Sequence, residues 1–249
     1  MIISFVQTKG GTGKSTLALN IAFSRHMNGL FRSIALVELD PQGTLRAWWD
    51  GRTEIGLKTG NVSFHHISST QKEVFADGIK SISAHNALIV MDIPGESTGK
   101  LHTRFACAVS DMVVIPMRTS TNDEAAFADN LYPIIKEVIK VDPKRKQCFY
   151  VLPSFTHPKA STQNIAGYFS AILPPSVACM KITYPDRTIY ENFNREGSTL
   201  NEYSDSVRTN KRHHKQTLMA INDMEEIAKT ITALMENENV PAKKIKKAE

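Results

Sequence analysis

The chain has 249 residues, of which 41% are hydrophobic and 22% charged, and a formal net charge of +5. One α/β domain takes up that length, and the composition excludes wholesale disorder, collagen-like repetition and a long coiled coil. Nowhere do roughly 18 apolar residues follow one another, which excludes a membrane-spanning helix of ordinary length.

The first strand is predicted over residues 2–6. It starts apolar, with no basic segment before it, and Lys9-Gly10-Gly11 cuts the run short, so no signal peptide is expected and the chain is expected in the cytoplasm. A helix is predicted over 14–28, then strands over 33–39 and 62–67, a helix over 70–83 and a strand over 87–92. Further strands follow over 112–117, 147–152 and 178–184, with helices over 122–140, 160–172 and 216–236. Several strands are continuously apolar, such as Ala87-Leu88-Ile89-Val90-Met91 and Met112-Val113-Val114-Ile115. Runs of that kind are buried on both faces of a parallel sheet. The alternation reads as repeated βαβ units, hence an α/β fold with a single doubly wound, mostly parallel sheet flanked by helices. The last helix carries Leu218, Ile221, Met224, Ile227, Ile231 and Leu234 at helical spacing, an apolar stripe suited to packing on the sheet. Residues 1–236 are read as one domain and 237–249 as a flexible basic tail.

The strongest chemical signal is Lys9-Gly10-Gly11-Thr12-Gly13-Lys14-Ser15-Thr16, between the first strand and the first helix. Glycines let the backbone turn tightly, so successive N–H groups point inward at phosphate oxygens. The start of the helix adds its positive dipole end. Gly10, Gly11, Thr12, Gly13, Lys14, Ser15 and Thr16 are therefore candidate phosphate-binding residues. Lys14 is placed to reach the β- and γ-phosphates, and the Ser15 hydroxyl to bind Mg²⁺. Ile89-Val90-Met91-Asp92 ends a buried strand in a carboxylate, a second candidate Mg²⁺ ligand. The three cysteines, Cys107, Cys148 and Cys179, form no CxxC pair, which argues against a disulfide framework, a zinc ribbon and an iron–sulfur cluster. The adjacent pairs His65-His66 and His213-His214 diverge on a strand or helix and make poor metal sites.

The loop departs from the strict G-x-x-x-x-G-K-[ST] pattern, since Thr8 stands where the first glycine belongs and a second lysine, Lys9, precedes the glycines. This form resembles the deviant Walker A motif of the ParA/MinD family of P-loop ATPases. The resemblance implies that Lys9 crosses a dimer interface to the nucleotide of the other subunit. Glu38-Leu39-Asp40-Pro41-Gln42 resembles the family's switch segment, with Glu38 where aspartate is usual. By that likeness Asp40 orients the attacking water and stands near the metal. Ile93-Pro94-Gly95-Glu96 replaces the family's Cys-Pro-Pro. Tyr184-Pro185-Asp186-Arg187 resembles its C-terminal nucleotide loop, which gives Pro185 and Arg187 a place beside adenine. The base implied is adenine, because no Asn-Lys-x-Asp occurs; Asn210-Lys211 is followed by Arg212-His213. ATP and Mg²⁺ are the cofactors implied.

Two segments hold the positive charge. Residues 208–215 carry Arg208, Lys211, Arg212 and Lys215 without an acid, and Lys243, Lys244, Lys246 and Lys247 crowd the end. Such a patch suits sequence-independent binding to a polyanion, and partition ATPases of the family bind DNA through basic residues in this region. The family further implies a homodimer with ATP, a cargo-adaptor or centromere-binding-type partner, and slow, partner-stimulated hydrolysis that positions plasmid or chromosome cargo. Asn194-Arg195-Glu196-Gly197 and Leu45-Arg46-Ala47-Trp48 resemble a relative that assists conjugative or T-DNA transfer, a second reading. A metabolic P-loop enzyme and a membrane-bound positioning ATPase are further alternatives. No membrane contact is expected, because the tail offers only Val240 and Ile245 among its lysines. If Lys14 supplies a charge-assisted contact to the phosphates, Lys14→Ala weakens or abolishes ATP binding with the fold intact, and unchanged affinity by calorimetry refutes the phosphate-loop assignment.

Overall fold

The computed structural model describes residues 1–95 and 100–237. Its elements in chain order are β1 (Ile2–Phe5), α1 (Lys14–Ala22), α2 (Arg25–Leu30), β2 (Ile34–Glu38), α3 (Thr44–Glu54), β3 (Val62–His66), α4 (Lys72–His85), β4 (Leu88–Asp92) and α5 (Lys100–Val109). Then come β5 (Met112–Met117), α6 (Thr121–Ala126), a π-helical turn (Phe127–Leu131), α7 (Tyr132–Val141), β6 (Phe149–Thr156), α8 (Thr162–Ile172), β7 (Ala178–Cys179), β8 (Tyr184–Pro185), α9 (Leu200–Ser206) and α10 (Lys211–Asn237). The sheet runs β3-β2-β4-β1-β5-β6-β7, with β8 beside β6, and every described pairing is parallel.

Alternate residues of one strand go to opposite faces, and here both faces are covered. Ile3, Phe5, Leu36, Val90, Val114 and Leu152 pack with α1 and with Ala220, Met224, Ile227 and Ile231 of α10. Ala35, Val37, Ile89, Met91, Val113 and Val151 pack against Phe75 and Ile79 of α4, Ala106 and Cys107 of α5, and Ile135 of α7. This is the doubly wound sheet expected from the sequence. No described helix is long and apolar enough to cross a membrane.

Several boundaries differ from the expectation. The helix over 14–28 is two helices, because the Ser24 hydroxyl accepts the Met27 N–H at 3.2 Å and opens α2 afresh. The strand over 178–184 is reduced to two short strands, β7 and β8. The terminal helix begins at Lys211, five residues earlier than expected, so most of the basic segment is helical. Leu218, expected on its buried stripe, is 48% exposed. Three helices, α3, α5 and α9, had no sequence expectation. The tail over 238–249, and Glu96 after β4, lie outside the described residues.

The two segments resembling the transfer-assisting relative pack together. The Trp48 indole donates to Ser198 O at 3.0 Å, and Arg52 donates to Gly197 O at 2.9 Å and to both carboxylate oxygens of Glu202 at 2.7 Å. Gly197 has φ +74, and a Cβ there would sit 2.3 Å from the Arg52 backbone nitrogen. Backbone cannot retreat as a flexible side chain does, so Gly197→Ala is expected to lower stability by about 3 kcal/mol or more. Urea unfolding measures the loss; an unchanged midpoint would show that α3 and this turn are not tightly docked.

Candidate nucleotide-binding site

β1 lies inside the sheet, between β4 and β5, so its following loop emerges at the carboxyl edge beside both. Open α/β sheets bind ligands at that edge. The loop passes Gln7, whose side chain is buried and accepts the Thr8 N–H at 2.9 Å, and then winds through Lys9 to Gly13 into α1. α1 opens without a side-chain cap, whereas Ser24, Ser120, Ser161 and Thr199 cap α2, α6, α8 and α9. Its first-turn amides are presented to the loop instead. Gly13 is hemmed in: a Cβ there would lie 2.8 Å from the Tyr184 ring. Lys14 is buried, and its ammonium donates to Lys9 O at 3.2 Å. A Cβ on Gly95 would come within 3.2 Å of that ammonium, so the turn after β4 closes directly on the loop.

Glu38 and Asp92 are register partners at the ends of β2 and β4, and Asp40 follows on the loop after β2. Glu38 is fully buried and accepts the Leu45 and Arg46 N–H groups at 2.7 and 3.0 Å. It is therefore a remote cap for α3, a reach that its extra methylene gives it over the usual aspartate. Burial raises its pKa, and the two amides pull the other way. Asp40 lies on the loop between β2 and α3; its carboxylate accepts the Gln42 N–H at 2.9 Å and its carbonyl the His66 Nε2–H at 3.0 Å. Asp92 is pushed up to about 7 by burial, against a hydrogen bond from Ser15 and the charge of Lys14. Its Oδ1 is buried without a hydrogen-bond partner. An unpartnered buried carboxylate oxygen beside a hydroxyl fits a hard cation. Among the described residues no group of three or more His, Cys, Asp or Glu side chains forms a metal cage.

Lys9 has a different partner from Lys14. Its ammonium pairs with Asp123 at 2.5 Å, with the lysine side chain 38% exposed and the carboxylate fully buried. Asp123 also accepts the Arg118 N–H at 3.0 Å and the Ser120 hydroxyl at 3.1 Å. Burial opposes its charge, but these donors prevail and hold the carboxyl below its usual range. The Arg118 side chain donates to Gly11 O at 2.9 Å. Sequence reasoning found neither Asp123 nor Arg118. Ser120-Thr121-Asn122-Asp123 does carry a helix-start signature, but nothing local ties it to a loop more than a hundred residues earlier.

The remaining expected residues lie elsewhere. Pro185 is in β8, beside β6. Arg187 turns to α10, where its guanidinium pairs with Asp223, and the Tyr190 hydroxyl donates to the same carboxylate at 3.4 Å. Arg208, Lys211, Arg212 and Lys215 are all exposed. Three of them fall in the first five residues of α10, whose first turn has no acid. Cations there oppose the helix dipole, so they do not serve the helix.

A parallel sheet with a lysine-bearing glycine loop leading into an uncapped helix, and a strand-end acid beside it, defines a P-loop nucleotide-binding domain. Residues 3–247 match the CobQ/CobB/MinD/ParA nucleotide binding domain, and the chain belongs to that family. It is 23% identical over 199 residues to Protein ParA of Rhizobium radiobacter, covering 80% of this chain and 84% of that one. In fold it is similar to pnob8 ParA, with TM-score 0.65, 12% identity and coverage of 96% and 99% of the two chains. It is also similar to Cyanothece McdA in an ATP complex, with TM-score 0.59, 14% identity and coverage of 93% and 96%.

The raised pKa of Asp92 carries a sign. An unfolded aspartate ionises near pH 4, while the folded one keeps its proton until about 7, so folding loses stability between those values and does not regain it above them. Asp92→Asn removes that cost. The variant is expected to melt like wild type at pH 4 and roughly 5–10 °C higher at pH 8. Calorimetry across that range checks it; a lower melting point at pH 8 would show the ionised carboxylate to be stabilised in the fold.

Proposed function

We propose that the chain is an Mg²⁺-dependent ATPase that pairs with a second copy around ATP, binds DNA without sequence preference, and positions a DNA cargo. The observation that carries this reading is one loop with two lysines held differently: Lys14 is buried and donates to the loop carbonyl of Lys9, while Lys9 is partly exposed and paired with Asp123. One lysine serves the nucleotide of its own chain, and the other is available to a neighbour's. The relatives named ParA support the cargo class, and the ATP complex of a similar fold supports the nucleotide.

The triphosphate lies along residues 10–16, its oxygens taking N–H groups of the loop and of α1, with Lys14 on the β- and γ-phosphates. Ser15 and Asp92, with Asp40 nearby, would hold Mg²⁺, which would neutralise charge on the phosphate oxygens. Asp40 orients the attacking water through its carboxylate. Lys9 exchanges Asp123 for the phosphates of the partner's nucleotide, so the dimer depends on ATP. Pro185 lies toward the base, and Arg187 holds the base loop to α10 through Asp223. Arg208, Lys211, Arg212 and Lys215 contact DNA phosphates, and pairing doubles the patch presented to one duplex. An adaptor protein that stimulates hydrolysis releases the dimer from its cargo track. The lysine-rich tail is a further source of positive charge for DNA, and the protein acts in the cytoplasm, without a membrane.

The test joins both surfaces. Light scattering with ATP and with ADP follows dimerisation, and fluorescence anisotropy of random duplexes follows DNA binding at several salt concentrations. Lys9→Ala is expected to bind ADP normally yet dimerise and turn over poorly with ATP. Reversing Arg212 and Lys215 to Glu is expected to keep ATP binding, weaken duplex binding and flatten the salt dependence by about 0.9 in log–log slope per lost phosphate contact. A wild-type protein that stays monomeric with ATP, or ignores duplex DNA with ATP bound, overturns the reading.

A further inference from the structure

Arg118 is outside every motif, yet it is held on two sides. Its guanidinium lies over the Phe155 ring, 4.0 Å from the centroid, and its Nη2 donates to the carbonyl of Gly11 at 2.9 Å. Its own backbone N–H is bound by Asp123, the carboxylate that holds Lys9. The ring beneath it is fixed as well. Phe155 has φ 52, packs on Tyr184 at 5.5 Å between ring centres, and stands 3.4 Å from where a Gly13 Cβ would be.

A trans peptide sets its carbonyl and the next N–H on opposite sides of one rigid plane. With the Gly11 carbonyl turned outward to Arg118, the Thr12 N–H of the same peptide is turned the other way, into the loop. Gly11 has φ +68, no side chain, and nothing within 4 Å of where a Cβ would stand, so no side-chain packing at that position fixes the plane. A glycine peptide rotates cheaply, and a charge-assisted hydrogen bond from a stacked guanidinium is a means of stopping it.

We propose that Arg118 is a positioning residue for the nucleotide: braced on Phe155, it locks the Gly11–Thr12 peptide with its N–H inward and so prepares the loop for phosphate before any ligand arrives. This rests on the reading of residues 9–16 as a phosphate loop. A loop that must first select its orientation binds more weakly in proportion to the competent fraction.

The experiment measures the affinity of purified full-length protein for fluorescent ATP and ADP, with thermal melting alongside. Arg118→Ala is expected to lose about tenfold for both nucleotides together, the scale of one hydrogen bond to a charged group, at an unchanged melting temperature. Arg118→Lys, which keeps a donor for the carbonyl, is expected to recover most of the loss. Phe155→Leu, which removes the brace alone, is expected to lose less than Arg118→Ala. Wild-type affinity in Arg118→Ala overturns the proposal, as does a loss that Lys fails to restore, or one that tracks a lowered melting temperature. A wild-type chain that binds neither nucleotide refutes the phosphate loop itself, a result distinct from these.

Discussion

Burying ionised carboxyl groups at the carboxyl edge of a sheet is expensive unless each is answered by hydrogen bonds or opposite charge. The molecule answers its acids unequally, and much of the site follows from that. Glu38 receives two helix amides and becomes a structural cap. Asp123 receives an ammonium, a hydroxyl and an amide, and stays charged below its usual range. Asp92 receives too little: one oxygen is unpartnered and its pKa climbs to about 7. The acid least well served by the protein is the one proposed to take Mg²⁺. Stability withheld at a site in this way is a common cost of function.

The same edge explains what the sequence could and could not reveal. The glycine loop, the strand-end Asp92 and the continuously apolar strands are local patterns, and local patterns are legible in one chain. The doubly wound sheet followed from them. α3 was hidden because its cap, Glu38, comes from a strand end, and Gly51 weakens its pattern. α9 has only seven residues and is defined by a capping box, Thr199 with Glu202, that no apolar stripe advertises. The start of α10 was masked by cations that disfavour a helix start. Lys9 was read by resemblance as a residue for another subunit; its tie to Asp123, 114 positions away, is a product of folding that spacing does not encode.

A continuous run of contacts joins the glycine loop to the basic helix. Gly13 abuts Tyr184, whose ring lies 5.1 Å from that of Tyr190. The Tyr190 hydroxyl reaches Ala220 O and Asp223, both of α10, and Arg187 pairs with Asp223 from the segment after β8. Four of these groups are aromatic or ion-paired and little exposed, so the segment after β8 is gripped between the phosphate loop and α10. Contacts of this kind fix relative position; they do not by themselves establish coupling.

The basic start of α10 has a mechanical meaning of its own. Lys211, Arg212 and Lys215 repel one another and the positive pole of their own helix, with no acid in the first turn to quiet them. The fold holds that end all the same: the Asn210 side chain accepts the His213 N–H at 3.2 Å, and the His214 ring donates to Ser204 O of α9 at 3.0 Å. A polyanion laid across it would cancel the repulsion and answer the pole together. The first turn is thus held in place by the fold while its cations stay exposed, so its shape does not depend on a load although its charge is left unanswered.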